Sequence, residues 1–297
     1  VNISLVDALK ISKFEPVFVI LNWILAHISI SEMFFKISIW LFFSLLFILF
    51  LKNIFNYWQT LIVFTSYTFY FIFFSYALNV IRQGLAICCL LIAISILLKG
   101  KINSNKIFYL CIFLAPLFHL SSLPFSIVLL ILKKIKVSLK VSLLIWGIAS
   151  LLFITGYNSS LFGWIISYFS YSKYISVESI KLYEGGINRT DFLIYSIIWI
   201  CFGLIIRKYL LVKDNFLLLL NIYLLYNAIF LLVGFSAFSD RTAAYSWFLV
   251  PLMIWMALFQ HNFISRKFQN IVYVFTISIF FWLGYYSGNI QFILGLN

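Results

Sequence analysis

Long apolar runs separated by short polar segments dominate this chain. A helix that crosses the hydrocarbon core of a membrane needs about 17–25 mostly apolar residues, and several runs reach or approach that length. Lysine and arginine stand near many of their ends, which is typical of membrane-spanning helices. The pattern predicts spanning helices at about Phe34–Leu51, Thr60–Leu78, Gly84–Leu98, Val141–Ile154, Phe192–Ile206, Phe216–Val233, Ala243–Leu258 and Ile271–Tyr285.

One further apolar run, Ile107–Leu132, does not fit a single crossing. It lies between two lysine clusters, and an odd number of crossings would put these clusters on opposite sides of the membrane. Ser121, Ser122 and Pro124 interrupt the run, and proline disfavours helix at the residue before it. We therefore predict a broken helix pair over residues 107–132 whose halves meet at the outer side. The alternative is one tilted helix that violates the lysine bias.

Two segments outside these spans also carry predictions. Residues 15–30 are too short and too polar at their flanks for a span, and they could lie along the outer surface as an amphipathic helix. Residues 155–190 are the longest stretch between spans, and we expect one long external loop there. Its tyrosines could stack on sugars or form an interfacial aromatic belt; they are Tyr168, Tyr171, Tyr174 and Tyr183.

The composition indicates the same class of protein. Hydrophobic residues make up 64% of the chain and charged residues 10%, with a mean hydropathy of +1.09, whereas soluble domains are about 45–50% apolar and about 25% charged. We expect an all-α polytopic membrane protein with a single transmembrane domain over residues 1–297. The chain begins with Val1 rather than Met, so we expect that an N-terminal segment is missing. The cysteines lie in apolar runs and are expected to be buried thiols; they are Cys88, Cys89, Cys111 and Cys201.

The net charge of +13 reflects membrane topology. Cytoplasmic loops are enriched in lysine and arginine, and the richer face holds mostly lysine and, among the acids, only Asp214. The opposite, outer face carries mixed charge. No basic soluble domain with interleaved aromatic residues is present, so we exclude nucleic acid as a partner and expect a lipid bilayer. The residues assigned to the inside are Lys52, Lys99, Lys101, Lys106, Lys133, Lys134, Lys136, Lys140, Arg207, Lys208, Lys213, Arg266 and Lys267.

Arg82 stands between two apolar runs, where a guanidinium costs about 2.5–3.5 kcal/mol on insertion scales. Asn79 and Gln83 share its neighbourhood at the predicted outer end of a helix. A lone arginine near a span end usually extends to the lipid headgroups, but lysine is the usual anchor in this chain. We therefore predict that Arg82 acts on an anionic ligand, with Asn79 and Gln83 as substrate-binding residues.

His119 precedes the predicted helix break at Ser121 and Ser122. A single histidine in an apolar run is most often a hydrogen-bonded core residue. At a helix break on the outer side, however, a neutral imidazole could accept the proton of a hydroxyl group. We predict His119 as a catalytic residue and Ser122 as a substrate-binding residue.

Asp240 and Arg241 lie between two predicted spans on the outer face, and Tyr245 follows four residues after Arg241. A guanidinium presents a rigid fork that suits phosphate oxygens. The plainer alternative is an Asp240–Arg241 surface pair. Arg189 and Asp191 give a third polar point on that face, although the preceding glycine pair is typical of an ordinary turn. We predict Arg241 and Asp240 as catalytic residues, and we predict Arg189, Asp191 and Tyr245 as substrate-binding residues.

Together these residues favour a diphosphate ligand that is approached from lipid. No H-E-x-x-H or D-x-D metal pattern, no phosphate-binding loop and no G-x-S-x-G motif occurs in the chain. We therefore expect no metal and no cofactor. An ATP-driven or serine-hydrolase activity has no support in the sequence.

At these positions the chain resembles the EpsG/Wzy-type polymerases of bacterial polysaccharide repeat units. The order of the matching segments and the spacing of helices between them agree over nearly the whole chain. An external segment that usually precedes the Glu-Pro motif is absent or reduced here, which leaves its role open. The matching stretches are Glu15-Pro16-Val17-Phe18 with Leu21-Asn22, then Asn79-Val80-Ile81-Arg82-Gln83-Gly84-Leu85-Ala86, Phe118-His119-Leu120-Ser121-Ser122-Leu123, and Arg241 with Tyr245.

The resemblance implies a multi-helix, GT-C-like glycosyltransferase in the bacterial inner membrane. It would transfer undecaprenyl-diphosphate-linked chains onto an undecaprenyl-diphosphate-linked oligosaccharide repeat unit at the outer face, with a chain-length regulator and a flippase as candidate partners. On residue type, Arg82 and Arg241 would bind the diphosphates and His119 would activate the sugar hydroxyl, with Asp240 as a rival base. The alternatives are a flippase for the same lipid-linked oligosaccharide, a membrane acyltransferase and a non-catalytic scaffold.

Overall fold

The structure is a computed structural model that describes residues 3–100, 105–168, 178–179, 186–209, 214–260 and 266–286. Every regular element within these residues is helical, which confirms the predicted all-α class. The helices are α1 Leu5–Ile11, α2 Pro16–Ile28, α3 Glu32–Ile54, α4 Tyr57–Thr68, α5 Phe73–Leu78, α6 Ile81–Lys99, α7 Asn105–Phe118, α8 Leu123–Lys134, α9 Leu139–Thr155, α10 Tyr157–Tyr168, α11 Thr190–Tyr209, α12 Asp214–Val233, α13 Ser239–Trp247, α14 Val250–Gln260 and α15 Arg266–Tyr286.

The length and composition of these helices agree with a multi-pass membrane protein. Among the described residues, five helices are long and apolar enough to cross a membrane, or up to six if the bent pair of α9 and α10 counts as one span. They are α3, α6, α11, α12 and the continuous stretch Ser239–Phe259, which combines α13 with most of α14. Each of the five covers a span that the hydropathy pattern predicts.

The chain divides into two compact units. Unit 1 comprises Val1–Leu130 and Ile264–Asn297, and unit 2 comprises Ile131–Phe263. In unit 1 the central helix is α6, which packs on α3, α5 and α7. Aromatic side chains fill the space beside it: the Phe47 ring lies 5.2 Å from that of Phe73 and 4.6 Å from that of Tyr67. Phe43, whose ring lies 5.3 Å from that of Phe73, extends this aromatic group to Gly84 in the first turn of α6.

In unit 2 the central helix is α12, which packs on α9, α10 and α13. Asn227 of α12 is fully buried and ties three neighbours to this helix. Its Oδ1 accepts a hydrogen bond from Trp146 Nε1 at 2.9 Å. Its Nδ2 donates to Ser196 Oγ at 2.8 Å and to Ser246 Oγ at 3.1 Å. Such bonds satisfy polar groups that lipid cannot.

The prediction of one continuous span over Thr60–Leu78 is wrong. The structure has two short helices there, α4 and α5, joined by a turn at residues 69–72. The turn satisfies its own backbone, because Tyr70 N donates to Tyr67 O and Phe73 N donates to Tyr70 O, both at 2.9 Å. Tyr67, Tyr70 and Phe73 are buried, so packing of these rings stabilises a break that hydropathy does not reveal.

The prediction of one loop over residues 155–190 is also wrong in its first part, because residues 157–168 form α10. Gly156 ends α9 in the left-handed conformation, with φ 76°, and the chain bends by 104° into α10. The Asn158 side chain donates to Leu231 O at 2.9 Å and anchors α10 on α12. The tyrosines proposed to stack on sugars lie outside the described residues, except for the backbone of Tyr168.

Three cysteines are buried as predicted, whereas Cys201 is exposed on α11. An apolar run cannot distinguish the helix face that packs on protein from the face that meets lipid. For that reason the sequence assigned all four thiols to the interior.

The predicted helix break before residue 124 is confirmed. Helix α7 ends at Phe118, a 3-10 turn spans Leu120–Ser122, and α8 begins at Leu123. The predicted helix within residues 15–30 is present as α2, which packs on α1 and α7. These contacts bring the start of α2 next to the break.

Candidate functional site

A carboxylate, a guanidinium and an imidazole meet in unit 1. Arg82 Nη1 lies 2.6 Å from Glu15 Oε2, and His119 Nδ1 lies 2.9 Å from Glu15 Oε1. The backbone N–H of Leu120 also donates to Glu15 Oε1, at 3.0 Å. Glu15, Arg82 and His119 are called the Glu15 cluster below. The structure thus brings together two sequence-predicted residues through a third that the prediction did not include.

The start of α2 presents Glu15 to its partners. Glu15 has extended backbone angles, φ −63° and ψ 144°, which residues before proline favour. Pro16 then begins the helix, where its missing N–H costs nothing. The Glu15 side chain makes no capping hydrogen bond to α2. Its carboxylate therefore extends away from its own helix and toward α6 and α7.

The first turn of α6 carries Arg82. The N-terminus of a helix has a partial positive charge, and Val80 at the N-cap supplies no side-chain acceptor. A guanidinium at this position is unfavourable for the helix alone, and Glu15 offsets that cost. Gly84 allows α6 to approach α5, because a Cβ at this position would lie 2.1 Å from Tyr76 O.

The helix break presents His119. Its backbone is extended, with φ −158° and ψ 115°, so the chain leaves the helical path directly after α7. Ser122 N donates to His119 O at 3.0 Å and closes the 3-10 turn. The Leu120 N–H bonds to Glu15 at the break. The carboxylate thus holds both the imidazole and the backbone beside it.

The charge state of Glu15 follows from its surroundings. Burial by itself would raise the pKa of this carboxyl, but the hydrogen bonds from His119 and from the Leu120 N–H outweigh burial and lower the pKa to about 2. The side chain is only 15% exposed. Glu15 is therefore ionised at neutral pH and acts as a hydrogen-bond acceptor.

Arg82 forms the open edge of the cluster. Its side chain is 32% exposed, compared with 15% for both Glu15 and His119. The guanidinium carbon lies 4.6 Å from the centre of the Phe14 ring, a cation–π distance. A guanidinium has five N–H donors, and Nη1 faces Glu15. The exposed edge can therefore also bind phosphate oxygens.

The three other predicted residues of unit 1 differ in accessibility. Asn79 is exposed at the end of α5. Gln83 is 1% exposed and Ser122 is fully buried. The Ser122 hydroxyl has no hydrogen-bond partner within the described part of the chain. Of these three side chains, only Asn79 lies at an open surface.

In unit 2 the structure places Asp240, Arg241 and Tyr245 on α13. Asp240 and Arg241 are partly exposed in its first turn, whereas Tyr245 is 2% exposed. The Arg241 guanidinium carbon lies 4.6 Å from the centre of the Phe238 ring. Phe238 has a left-handed backbone, with φ 58°, and this bend starts the helix. Their predicted roles in catalysis and binding stay predictions.

Arg189 and Asp191 pair with each other at the start of α11. Arg189 Nε donates to Asp191 Oδ1 at 3.1 Å, and a second bond joins Nη2 to Oδ2. Asp191 lies in the first turn of α11, where a negative charge favours the helix. This geometry explains the pair by local stability, and its predicted role in substrate binding stays a prediction.

Glu15 is the site residue that sequence reasoning missed. The sequence places Glu15 in the Glu-Pro motif and on the outer face, and neither position by itself predicts a role in the site. The signal available was an acid next to an apolar helix, at the face that also carries Arg82. Within the described segments, no three His, Cys, Asp or Glu side chains gather in a metal-binding group.

The sequence model of the EpsG family matches residues 2–294. No curated protein and no solved structure matches the chain. The match covers the Glu15 cluster, both units and all the described helices. The chain therefore belongs to the EpsG family, a family of Wzy-like polymerases.

Proposed function

We propose that this protein polymerises undecaprenyl-diphosphate-linked oligosaccharide repeat units at the outer face of the bacterial inner membrane. Family membership supports a polysaccharide polymerase type of role. The observation that carries the finer proposal is the Glu15 cluster, in which Arg82 and His119 lie on one ionised carboxylate. The cluster combines a phosphate-binding group with a group that can accept a proton.

Arg82 is proposed to bind the diphosphate of the growing chain. Its fork can hold two phosphate oxygens, and it lies in the first turn of α6, where the helix dipole also favours an anion. When the bond to the sugar breaks, negative charge develops on the departing diphosphate. A fixed guanidinium stabilises this charge in the transition state.

His119 is proposed to accept the proton of the attacking hydroxyl. A hydroxyl oxygen of the acceptor repeat unit forms a bond to the anomeric carbon of the growing chain. The bond from that carbon to the diphosphate oxygen breaks, and its electron pair leaves with undecaprenyl diphosphate. The hydroxyl proton moves to the imidazole. Direct displacement of this kind inverts the anomeric centre.

Arg241 belongs to unit 2, and its assignment as a second diphosphate-binding residue rests on the sequence alone. The same holds for Asp240 as a rival base. No metal and no cofactor is part of the proposed reaction. A chain-length regulator and a flippase remain proposed partners.

The test replaces the native protein by Arg82→Ala in a strain deleted for it. We expect surface glycans to lose their polymer ladder while single repeat units persist, because export does not need the lost guanidinium. Arg207→Ala is the matched control, since Arg207 is an exposed arginine in the last turn of α11. Gels of surface glycans and immunoblots of membranes give the readout.

A normal ladder from stably inserted Arg82→Ala protein would refute the role of Arg82. Loss of all surface glycans in the deletion strain, single units included, would instead indicate a flippase. Loss of the ladder in the Arg207→Ala control would show that any missing arginine disturbs the protein.

A further inference from the structure

The two oxygens of the Glu15 carboxylate have different partners. Oε1 accepts from His119 and from the Leu120 N–H, at 2.9 and 3.0 Å, whereas Oε2 faces Arg82 at 2.6 Å. A carboxylate that merely neutralised a nearby cation would not need this division. Each oxygen fixes one of the two groups that the proposed reaction uses.

The bond to Oε1 determines which imidazole nitrogen carries hydrogen. An ionised carboxylate can only accept hydrogen bonds, so Nδ1 of His119 must donate. In the neutral imidazole the other nitrogen, Nε2, then keeps its lone pair. Among the described contacts, the charged group that meets this ring is Glu15 from the start of α2, and Arg82 of α6 contacts the other oxygen of the same carboxylate.

The local sequence around Glu15 is consistent with contacts to distant residues rather than to its own helix. The residue stands at the N-cap of α2 yet makes no capping bond to that helix. It instead reaches across to residues 67 and 104 positions away. Because the carboxylate makes no hydrogen bond to the N–H groups of the first turn of α2, both of its oxygens are available to distant partners.

We propose that Glu15 is a positioning residue that holds His119 with hydrogen on Nδ1, so that Nε2 receives the proton of the attacking hydroxyl, and that also orients Arg82. Its catalytic consequence rests on the polymerase function proposed above. After proton transfer the imidazole is a cation, and the adjacent carboxylate stabilises it. Glu15 itself stays ionised throughout.

The first experiment reads the tautomer directly, without any substrate. Purified full-length protein with ¹⁵N-labelled histidine is studied by NMR at alkaline pH, and His119→Gln identifies the His119 signals among those of His27 and His261. We expect hydrogen on Nδ1 in the wild type and in Glu15→Gln, whose amide oxygen can still accept. In Glu15→Ala we expect hydrogen on Nε2, the form that free histidine prefers. Glu32→Gln is the control, because Glu32 is 80% exposed and pairs only locally with Lys36.

The second experiment measures polymer formation from lipid-linked repeat units by the same proteins. We expect Glu15→Ala to lose about 10²-fold or more in turnover, the usual contribution of a positioned acid or base. Glu15→Gln keeps the tautomer but turns an amide toward Arg82, so its loss should be smaller. Glu32→Gln should retain wild-type turnover.

A His119 signal that keeps hydrogen on Nδ1 in Glu15→Ala would overturn the proposal, as would hydrogen on Nε2 in the wild type. If Glu15→Ala does not fold, the spectra of the wild type and of Glu15→Gln still test the proposal. Hydrogen on Nε2 of His119 in Glu15→Gln would also contradict the proposal. If Glu15→Ala shows the expected change of tautomer but the wild-type protein makes no polymer, the proposed function is refuted. The finding that Glu15 positions His119 would still stand.

Discussion

At the scale of single residues, one carboxylate organises the candidate site. Arg82 and His119 were predicted from their cost and context in apolar sequence, and both lie on Glu15. A buried charge persists only where it is paired and hydrogen-bonded. The pairing explains how three polar groups coexist at the edge of an apolar helix bundle.

The depressed pKa of Glu15 predicts a specific dependence of stability on pH. A carboxyl whose pKa falls from 4.5 to about 2 on folding contributes stability that is fully present above pH 4.5 and is lost as pH falls through about 2. The melting temperature of the wild type in detergent should therefore exceed that of Glu15→Gln at neutral pH. This gap should shrink between pH 4.5 and 2.

Glu32→Gln provides the control for this measurement. Glu32 pairs with Lys36 at the surface, where it is 80% exposed, and exposed pairs contribute little to stability. Its melting temperature should follow the wild type at every pH. If the difference in melting temperature between the wild type and Glu15→Gln stays constant down to pH 2, Glu15 is not ionised in the way assigned here.

At the scale of elements, breaks between helices position the site more than the long spans do. His119 lies at the break between α7 and α8, and Arg82 follows the break between α5 and α6. Each break exposes a first or last turn whose polar groups need partners. The long spans form the packed frame around these points.

Gly84→Ala should disturb the break between α5 and α6. The added Cβ would meet Tyr76 O at 2.1 Å and Phe43 Cε2 at 3.2 Å, and the first of these is backbone that cannot rotate away. Overpacking of this kind costs about 1–3 kcal/mol. We expect a lower melting temperature and weaker polymer formation, since the first turn of α6 carries Arg82.

Gly147→Ala is the matched control, because a Cβ at Gly147 of α9 would meet nothing within 4 Å. Replacing glycine by alanine inside a helix is otherwise favourable by about 0.5–1 kcal/mol. This variant should be at least as stable as the wild type. Equal melting temperatures for the two variants would show that α5 and α6 are less closely packed than the structure indicates.

At the scale of the whole molecule, the distribution of charge predicts orientation in the membrane. We expect the lysine-rich turn after α8 to lie inside and the segment before Glu15 to lie outside. Lys136→Cys should react with a membrane-impermeant maleimide only after permeabilisation. Lys13→Cys should react with the same reagent in intact spheroplasts.

Both variants are made in a Cys201→Ala background, because Cys201 is exposed whereas Cys88, Cys89 and Cys111 are buried. The Cys201→Ala protein without a further cysteine gives the baseline for this labelling. The opposite pattern, with Lys136→Cys labelled from outside, would invert the topology and place the Glu15 cluster on the cytoplasmic side. That result would be incompatible with polymerisation at the outer face.

The sequence alone determined the class of the protein, most spans and two members of the Glu15 cluster. Apolar runs indicate membrane-spanning helices, because a helix in lipid needs apolar side chains. A charged residue in such a run can be recognised because its transfer into lipid is unfavourable in free energy. Those signals are local, so they can be recognised in a single sequence. The break at His119 was also visible, because Ser121, Ser122 and Pro124 act on the adjacent backbone.

Only the tertiary structure decided which groups meet. Glu15 is 67 positions from Arg82 and 104 from His119, and no local pattern records such a contact. The split of Thr60–Leu78 into two helices, the helix α10 and the exposure of Cys201 were likewise set by packing. Hydropathy measures the solvent that a segment prefers, whereas hydrogen bonds and close contacts depend on which segments are neighbours in space.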